Sequence, residues 1–373
     1  MTHRQLIRTI LLGVCATGIV LTAGCAAQPA STAATAPAAA ASSAPVPVQQ
    51  FPGELPVWKI PNLGISGEAY YAPDSLHVIA QVQDPQAVKP SDPRTRYGSF
   101  TYIFTDQGTN IRRINDRGMD ACSFFFPDMK HVVWTSTRDN THLPPGSWDD
   151  DLTYPTGAEI YVSDLEGNNV RRLTHNEYYD AEVTVSPNGQ WILFGRQTDG
   201  KMDLWRMRPD GSEQQQITFT DEWQEGGAAY LPDNETILYR AWKRSDYGKK
   251  NPLPMTLFTI KHDGTGLKQL TFDDEMNWAP FPAPDGRHYV YVRLVGPAKT
   301  NREIFLGDLQ GGEPKRLTFN EGFDGFPSLS PDGTKMLFTR KHPAELGVFT
   351  YVMDVSSLNI GPKKAAAAEH AHH

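Results

Sequence analysis

Residues 323–333 read FDGFPSLSPDG, and residues 179–189 read YDAEVTVSPNG. Each stretch ends in serine, proline, an aspartate or asparagine, and glycine. Proline presets the backbone at the first corner of a turn, aspartate or asparagine hydrogen-bonds its own backbone, and glycine accepts a positive φ. Both stretches therefore predict a β-strand that runs into a tight hairpin.

This hairpin phrase recurs along the chain. Its prolines are Pro73, Pro127, Pro187, Pro232, Pro284 and Pro331. Each hairpin is followed by an aromatic-rich strand, a glycine turn and a short strand that usually ends in Leu-Thr or Ile-Thr, as in residues 204–218. Units of four short strands, repeated four to eight times, are typical of a β-propeller. We therefore predict an all-β fold, a six-bladed β-propeller with four-stranded blades, over residues 55–358.

The two ends of the repeat predict how the ring closes. The sixth unit has a third strand over residues 348–353, but no Leu-Thr strand follows Ser356. The missing strand appears ahead of the first unit, in residues 57–61, at the usual distance from the next hairpin proline. We expect the N-terminal strand to complete the last blade, which would hide strand edges that otherwise promote aggregation.

The phrases at 323–333 and 179–189 resemble TolB-type propeller repeats, and the resemblance covers about residues 55–355. It implies an extracytoplasmic propeller that works through protein contacts. TolB itself carries an additional N-terminal α/β domain, for which the residues ahead of this propeller leave no room. What the resemblance implies is therefore carried over for the propeller alone.

The first 24 residues are predicted to be a lipoprotein signal peptide. Arg4 and Arg8 precede an apolar stretch over residues 10–20, which is shorter than the roughly 20 residues that span a bilayer. Residues 21–25 read LTAGC and resemble the bacterial lipobox, in which the cysteine, here Cys25, receives the lipid anchor. An ordinary signal peptide with a chance cysteine is the alternative. Ala26 is not an aspartate, which by the sorting rule of such lipoproteins implies the periplasmic side of the outer membrane.

Residues 25–50 are predicted to be a disordered tether, because Ala, Ser, Thr and Pro dominate and cannot bury enough apolar surface to offset the entropy of ordering. The tail over residues 361–373 has a similar composition and is also predicted to be disordered. The whole chain has a formal net charge of −8. An acidic protein is an unfavourable partner for nucleic acid, so we expect none.

Acidic residues recur at one place in the repeat, seven residues before the hairpin proline. The candidates there are Asp120, Asp180, Glu225 and Asp324, with Glu68 and Glu182 two positions further along. Such a ring could hold a divalent cation such as calcium, or a basic peptide, at one mouth of the central channel. The alternative is that each carboxylate accepts hydrogen bonds from a turn or a neighbouring blade. The position after it is small in five of the six units, which suits a crowded strand near the axis.

Long inserts interrupt the repeat at residues 84–98, 139–157 and 243–255. Each lies between the second and third strands of a unit, so the three should gather on one face of the disc. Loops on a rigid scaffold commonly carry recognition. Trp148, beside Asp149, Asp150 and Asp151, is a candidate contact residue, although it could equally pack on its own loop.

These features favour binding over catalysis. We predict a membrane-tethered scaffold that binds a protein or another ligand of the cell envelope, and the sequence does not name that ligand. The alternative is a propeller-fold enzyme, such as a metal-dependent polysaccharide lyase. Its expected histidine cluster is not apparent, because the seven histidines between residues 77 and 342 fall at unequal repeat positions. Fold alone does not decide between these functions.

Overall fold

The computed structural model describes residues 45–84, 99–143, 154–343 and 345–363. In these ranges the chain forms 24 β-strands and two short 3₁₀-helices, Arg244–Asp246 and Ser356–Leu358. No helix within them is long and apolar enough to cross a membrane. The all-β prediction is confirmed for this part of the chain.

Sixteen strands form four separate four-stranded antiparallel sheets. The first contains β2 (Ser66–Tyr71), β3 (His77–Gln83), β4 (Ser99–Thr105) and β5 (Arg112–Arg113). The second contains β6 (Asp120–Phe125), β7 (His131–Ser136), β8 (Glu159–Asp164) and β9 (Arg171–Arg172). The third contains β10 (Tyr179–Val185), β11 (Ile192–Thr198), β12 (Lys201–Met207) and β13 (Gln215–Gln216). The fourth contains β14 (Trp223–Tyr230), β15 (Thr236–Lys243), β16 (Thr256–Lys261) and β17 (Lys268–Gln269).

The other eight strands form one continuous sheet. They are β1 (Val57–Lys59), β18 (Asn277–Pro282), β19 (His288–Val295), β20 (Asn301–Asp308), β21 (Lys315–Arg316), β22 (Phe323–Leu329), β23 (Lys335–Lys341) and β24 (Phe349–Asp354). The prediction of six four-stranded blades is therefore wrong, because the described residues form only four such blades. The remaining two units are fused where β20 pairs in parallel with β22, through Arg302 and Phe323.

The first strands of the units lie around a common axis, and we call β2, β6, β10, β14, β18 and β22 the axial strands. Each axial strand contacts the next, and β22 contacts β2, so they form a closed ring. The core consists of clusters between neighbouring sheets. Ile103 of the first sheet packs in one cluster with Trp134 of the second, and Val162 packs in another with Phe194 of the third. Burial of these faces explains why the sheets stand side by side around the axis.

The N-terminal strand joins the last strand of the chain. Strand β1 pairs antiparallel with β24, from Val57 opposite Met353 to Lys59 opposite Tyr351. The Trp58 indole Nε1 donates a hydrogen bond to the backbone oxygen of Asp106 at 3.1 Å, which connects this edge to the first sheet. The strand pairing that the sequence predicted for the N-terminus is therefore observed.

The repeat prolines lie in hairpins between the first and second strands of the units, as predicted. Residues between β18 and β19 illustrate the local physics. Oδ1 of Asp285 accepts the backbone N–H groups of Arg287 and His288, both at 2.9 Å, and Oδ2 lies 2.6 Å from Nδ1 of His288. These bonds close the turn that proline starts.

Antiparallel pairing places the hairpins on one face of the ring and the connections between second and third strands on the other. We call this second face the insert face. The described parts of the predicted inserts, namely Asp84, 139–143, 154–157 and 243–255, lie on it. The start of each axial strand is on the same face, which fixes where a site near the axis opens.

Candidate functional site

Every axial strand carries a β-bulge shortly after its start. At each bulge one residue adopts a left-handed backbone, with φ between 38° and 57°. These bulge residues are Glu68, Cys122, Glu182, Gly227, Ala279 and Phe326. Five of them are not glycine, so each costs about 1 kcal/mol or more of backbone strain. A bulge re-aims a side chain relative to a regular strand, and here all six residues line one central cavity.

The central cavity has a volume of about 320 Å³ and is lined by residues from the axial strands and from the insert face. Below the bulge residues, the Tyr70 ring lies 5.2 Å from the Phe124 ring and 5.9 Å from the Phe281 ring, measured between centroids. These rings come from β2, β6 and β18, so they meet across the axis and form a floor. In the described part of the chain, the cavity is therefore closed by this floor at one end and opens toward the insert face at the other.

Glu182 is held in place on one side of the cavity. Its Oε2 accepts the backbone N–H of Gly227 at 2.5 Å, and its Oε1 accepts a hydrogen bond from Nη2 of Arg240 at 3.0 Å. Gly226 makes this contact possible, because a Cβ there would lie 2.3 Å from Oε2 of Glu182. Small residues at this repeat position are thus explained by crowding between neighbouring sheets, as the sequence indicated.

Glu68 lies on the same side of the cavity, next to Cys122 and facing the charge of Glu182. Burial raises the pKa of Glu68 to about 7, and the Glu182 carboxylate adds to the rise, while hydrogen bonds with Cys122 oppose it. Among the described residues, no lysine, arginine or histidine forms an ion pair with Glu68. Burial and both carboxylates raise the pKa of the Cys122 thiol, so it stays protonated.

The other carboxylates predicted to form a ring are occupied by neighbours. Asp180 accepts two hydrogen bonds from Arg196 at 2.7 Å, and Asp324 accepts two from Arg340 at 2.9 and 2.7 Å. Glu225 accepts a hydrogen bond from Thr220, and burial raises the pKa of Glu225 to about 7. These three residues are not part of the cavity lining.

Asp120 belongs to the cavity lining, yet its carboxylate is bound by the neighbouring sheet and by a turn. It accepts the backbone N–H of Thr101 at 2.8 Å and the amide of Asn115 at 2.6 Å. Burial raises the pKa of Asp120 to about 6, against these hydrogen bonds. The structure thus brings Glu68, Asp120 and Glu182 together at the cavity and leaves Asp180, Glu225 and Asp324 inside the sheets. Whether any of them binds a ligand stays a prediction.

The described residues contain no group of three or more His, Cys, Asp or Glu side chains arranged to hold a metal ion. The possible calcium ion in the channel therefore stays a prediction. Cys25 and Trp148 lie outside the described residues, as do all of residues 1–44, 85–98, 144–153, 344 and 364–373. The lipid anchor and the candidate loop contact are likewise untested.

Sequence reasoning missed the aromatic side of the cavity and Arg240. Trp278 occupies the repeat position that is small in the other units, and its ring lies 4.6 Å from the Phe326 ring in an edge-on arrangement. Gly325 leaves room for two rings, because a Cβ there would lie 2.6 Å from Cζ of Phe323 and 3.1 Å from Cζ3 of Trp278. The large Trp278 at a position that is otherwise small was the sequence feature that could have indicated an aromatic wall. Arg240 is on β15, where the repeat gives no signal.

No family model matches the chain. An uncharacterized protein of Agrobacterium fabrum is 28% identical to it over 145 residues, which are 36% of this chain and 47% of that protein. The match thus spans about half the length of that relative.

Solved structures are similar over most of the chain. A putative TolB from Agrobacterium tumefaciens has a TM-score of 0.55 and 17% identity, over 80% of this chain and 96% of that one. TolB from Acinetobacter baumannii has a TM-score of 0.52 and 18% identity, over 78% of this chain and 68% of that one. Oligogalacturonate lyase from Vibrio parahaemolyticus has a TM-score of 0.51 and 12% identity, over 77% of each chain. At these identities the likeness concerns the fold, and the chain has the β-propeller fold of the TolB type.

Proposed function

We propose that this protein is a membrane-tethered, extracytoplasmic propeller that binds a protein or another ligand of the cell envelope through its insert face. The observation that carries the proposal is the central cavity, which is built by all the axial strands and opens on that face. A concave, mostly apolar site with a few placed polar groups is the usual form of a binding site.

Exposed aromatic residues on the insert face support a partner of considerable size. Tyr178, Phe219 and Phe272 are 44%, 71% and 81% exposed. Each lies in the connection from the last strand of one unit to the next axial strand. These connections are on the insert face, so all three residues lie on that face. Aromatic residues are enriched in protein interfaces because they bury a large area at a small entropic cost.

The envelope location rests on the sequence and on the fold. The predicted signal peptide over residues 1–24 and the candidate anchor Cys25 favour export and lipidation, and the solved TolB structures share the fold. We propose attachment to the periplasmic side of the outer membrane, with residues 26–50 as the tether up to the point where Val48 pairs with Val57 at the edge of the propeller. Metabolic labelling with a radioactive fatty acid tests the anchor: the native chain should be labelled and a Cys25→Ala chain should not.

In-cell photo-crosslinking tests the binding face. A photoreactive phenylalanine analogue at Phe272 should give a discrete adduct with an envelope protein or cell-wall component. The matched control is the same analogue at Leu267, which is 61% exposed in the same unit but lies in the turn between β16 and β17, on the opposite face. Equal adduct yields at both positions, or none at Phe272, would contradict the proposed binding face.

The lyase alternative is tested separately. Purified protein is incubated with oligogalacturonate and manganese or calcium, and unsaturated products are followed by absorbance. We expect no product, because the cavity carboxylates Asp120 and Glu182 are already bound by protein donors. Steady product formation would favour the enzyme and overturn the scaffold proposal.

A further inference from the structure

The central cavity has an acidic side, where the bulge residues Glu68, Cys122 and Glu182 lie on the successive axial strands β2, β6 and β10. We call the Trp278–Phe326 ring pair its aromatic side; the pair lies on β18 and β22, and β22 contacts β2, the strand of Glu68. Aromatic side chains contribute widely to the lining, which includes Tyr70, Tyr154, Tyr179, Trp242, Trp278, Phe281 and Phe326. Rings of this kind offer electron-rich faces to a cation and apolar surface to its hydrocarbon stem.

Among the described residues of the lining, the acidic side chains outnumber the basic ones. The acidic residues there are Glu68, Asp120 and Glu182, and the basic residue is Arg240. Arg240 pairs with Glu182, and Asp120 is bound by Thr101 and Asn115. Glu68 is left with the Cys122 thiol and backbone as neighbours and with a like charge nearby. A partly buried carboxylate in this position is stabilised by an incoming positive charge.

The aromatic side is built for a specific shape. Trp278 replaces the small residue found at this position elsewhere, and Gly325 of the neighbouring axial strand leaves space for the rings of both Phe323 and Trp278. Next to it, Pro280 and Pro327 also line the cavity. A bare divalent ion would make no favourable contact with this apolar wall, since such ions take oxygen ligands. A cation on a hydrocarbon stem can pair with the Glu68 carboxylate while its stem packs against the Trp278 and Phe326 rings.

We propose that the central cavity binds a basic side chain, a lysine or arginine presented by the partner, with Glu68 as its counter-ion and the Trp278–Phe326 pair against its stem. This inference rests on the proposed function and names the chemistry that the binding face recognises. The left-handed backbone at Glu68 and Phe326 fixes both sides on rigid strands. Binding therefore costs little reorganisation of the protein.

Calorimetric titration of the full-length mature protein tests the inference. The probes are the blocked tripeptides Gly-Lys-Gly and Gly-Arg-Gly, with Gly-norleucine-Gly as the uncharged analogue of the same stem and Gly-Glu-Gly as the opposite charge. We expect the basic tripeptides to bind with a Kd of about 1 mM. The two other peptides should bind at least about tenfold more weakly. Equal affinity for lysine and norleucine, or no binding of any probe up to its solubility limit, would overturn the inference.

Two variants separate a binding role from a structural role. Glu68→Gln should weaken lysine binding about tenfold while leaving the fold at least as stable. Glu303→Gln is the matched control, because Glu303 is another buried carboxylate whose pKa burial raises to about 7, on β20 away from the cavity lining. It should leave the affinity unchanged. Unaltered binding by Glu68→Gln, or an equal loss in the Glu303→Gln control, would refute the counter-ion role.

The outcome is distinguishable from that of the crosslinking experiment. If the Phe272 adduct forms but the basic tripeptides do not bind, or bind equally well to Glu68→Gln, the scaffold function stands and the cavity inference fails. If the basic tripeptides bind through Glu68 but no Phe272 adduct forms, the cavity chemistry stands and the proposed binding face fails.

Discussion

Two buried acidic sites in this propeller are built in opposite ways. At Arg340 the guanidinium is completely buried between Asp324 and Glu54, and both carboxylates bind it. Burial opposes its charge, but the two carboxylates raise the pKa of Arg340 above its ordinary value. In the cavity, Glu68 has the like charge of Glu182 nearby, and none of the described basic residues pairs with it. The first site joins the N-terminal segment to β22 and β23, while the second leaves a charge for a ligand to satisfy.

The largest effect is expected from breaking the paired site. Arg340→Met leaves Glu54 and Asp324 as uncompensated buried charges, so the free energy of unfolding should fall by about 3–5 kcal/mol. Urea denaturation measures the loss. Lys261→Met is the control, because its ion pair with Glu235 is exposed on both sides and should contribute no more than about 1 kcal/mol.

A second variant sharpens that result. Adding Asp324→Asn to Arg340→Met removes one of the stranded charges and should restore part of the stability. If the double variant instead has a clearly lower free energy of unfolding than Arg340→Met alone, the loss comes from packing rather than from unpaired charge.

At Glu68, in contrast, removing the charge should stabilise the protein. The folded-state pKa of Glu68 is raised to about 7 from an ordinary value of 4.5, so the folded state binds more protons than the unfolded state between these values. Stability from this group is therefore lost as the pH rises from about 4.5 to about 7. Glu68→Gln should remove that loss and gain about 2 kcal/mol at pH 8, with little gain at pH 5.

Thermal and urea unfolding at both pH values check this prediction. Glu321→Gln, on the exposed loop before β22, is the control and should change stability equally little at pH 5 and pH 8. A Glu68→Gln variant that is less stable than the native protein at pH 8 would show that Glu68 is satisfied by contacts that stabilise the fold.

The smallest effect concerns backbone strain at the cavity. Ala279 has a φ of 48° at its bulge, whereas Ala229 on β14 is not among the left-handed residues. Ala279→Gly should stabilise the protein by up to about 1 kcal/mol because glycine accepts this backbone without strain. Ala229→Gly should destabilise it by a similar amount. The same sign for both substitutions, measured by urea denaturation, would contradict the strain assigned to the bulges.

Local turn chemistry was predictable from the sequence, and long-range backbone pairing was not. The phrase at Pro187 correctly placed a hairpin between β10 and β11. The fusion of two units depends on one parallel pairing, Arg302 with Phe323, for which side-chain patterns carry no signal. The number of separate blades was therefore wrong although the all-β propeller was confirmed.

The candidate site shows the same limit at the level of single residues. A regular strand would send Asp180 and Glu182 to the same face, since side chains alternate with a period of two. The bulge in β10 begins after Ala181, so Asp180 turns to Arg196 while Glu182 enters the cavity. Bulges add a residue without a distinctive composition at these positions. The spacing therefore identified the start of the axial strand as the site, but it could not distinguish the carboxylate that lines the cavity from the one that pairs within the sheet.

The pairing of β1 with β24 also has a consequence for the order of folding. Almost 300 residues separate Val57 from its partner Met353, so the first strand to be synthesised is among the last to find its neighbour. Until then, the outer edge of β24 and the apolar face of Trp58 remain available to other chains. Assembly therefore has to protect this open edge, and molecules that fail to close it are the ones that should exchange strands with one another.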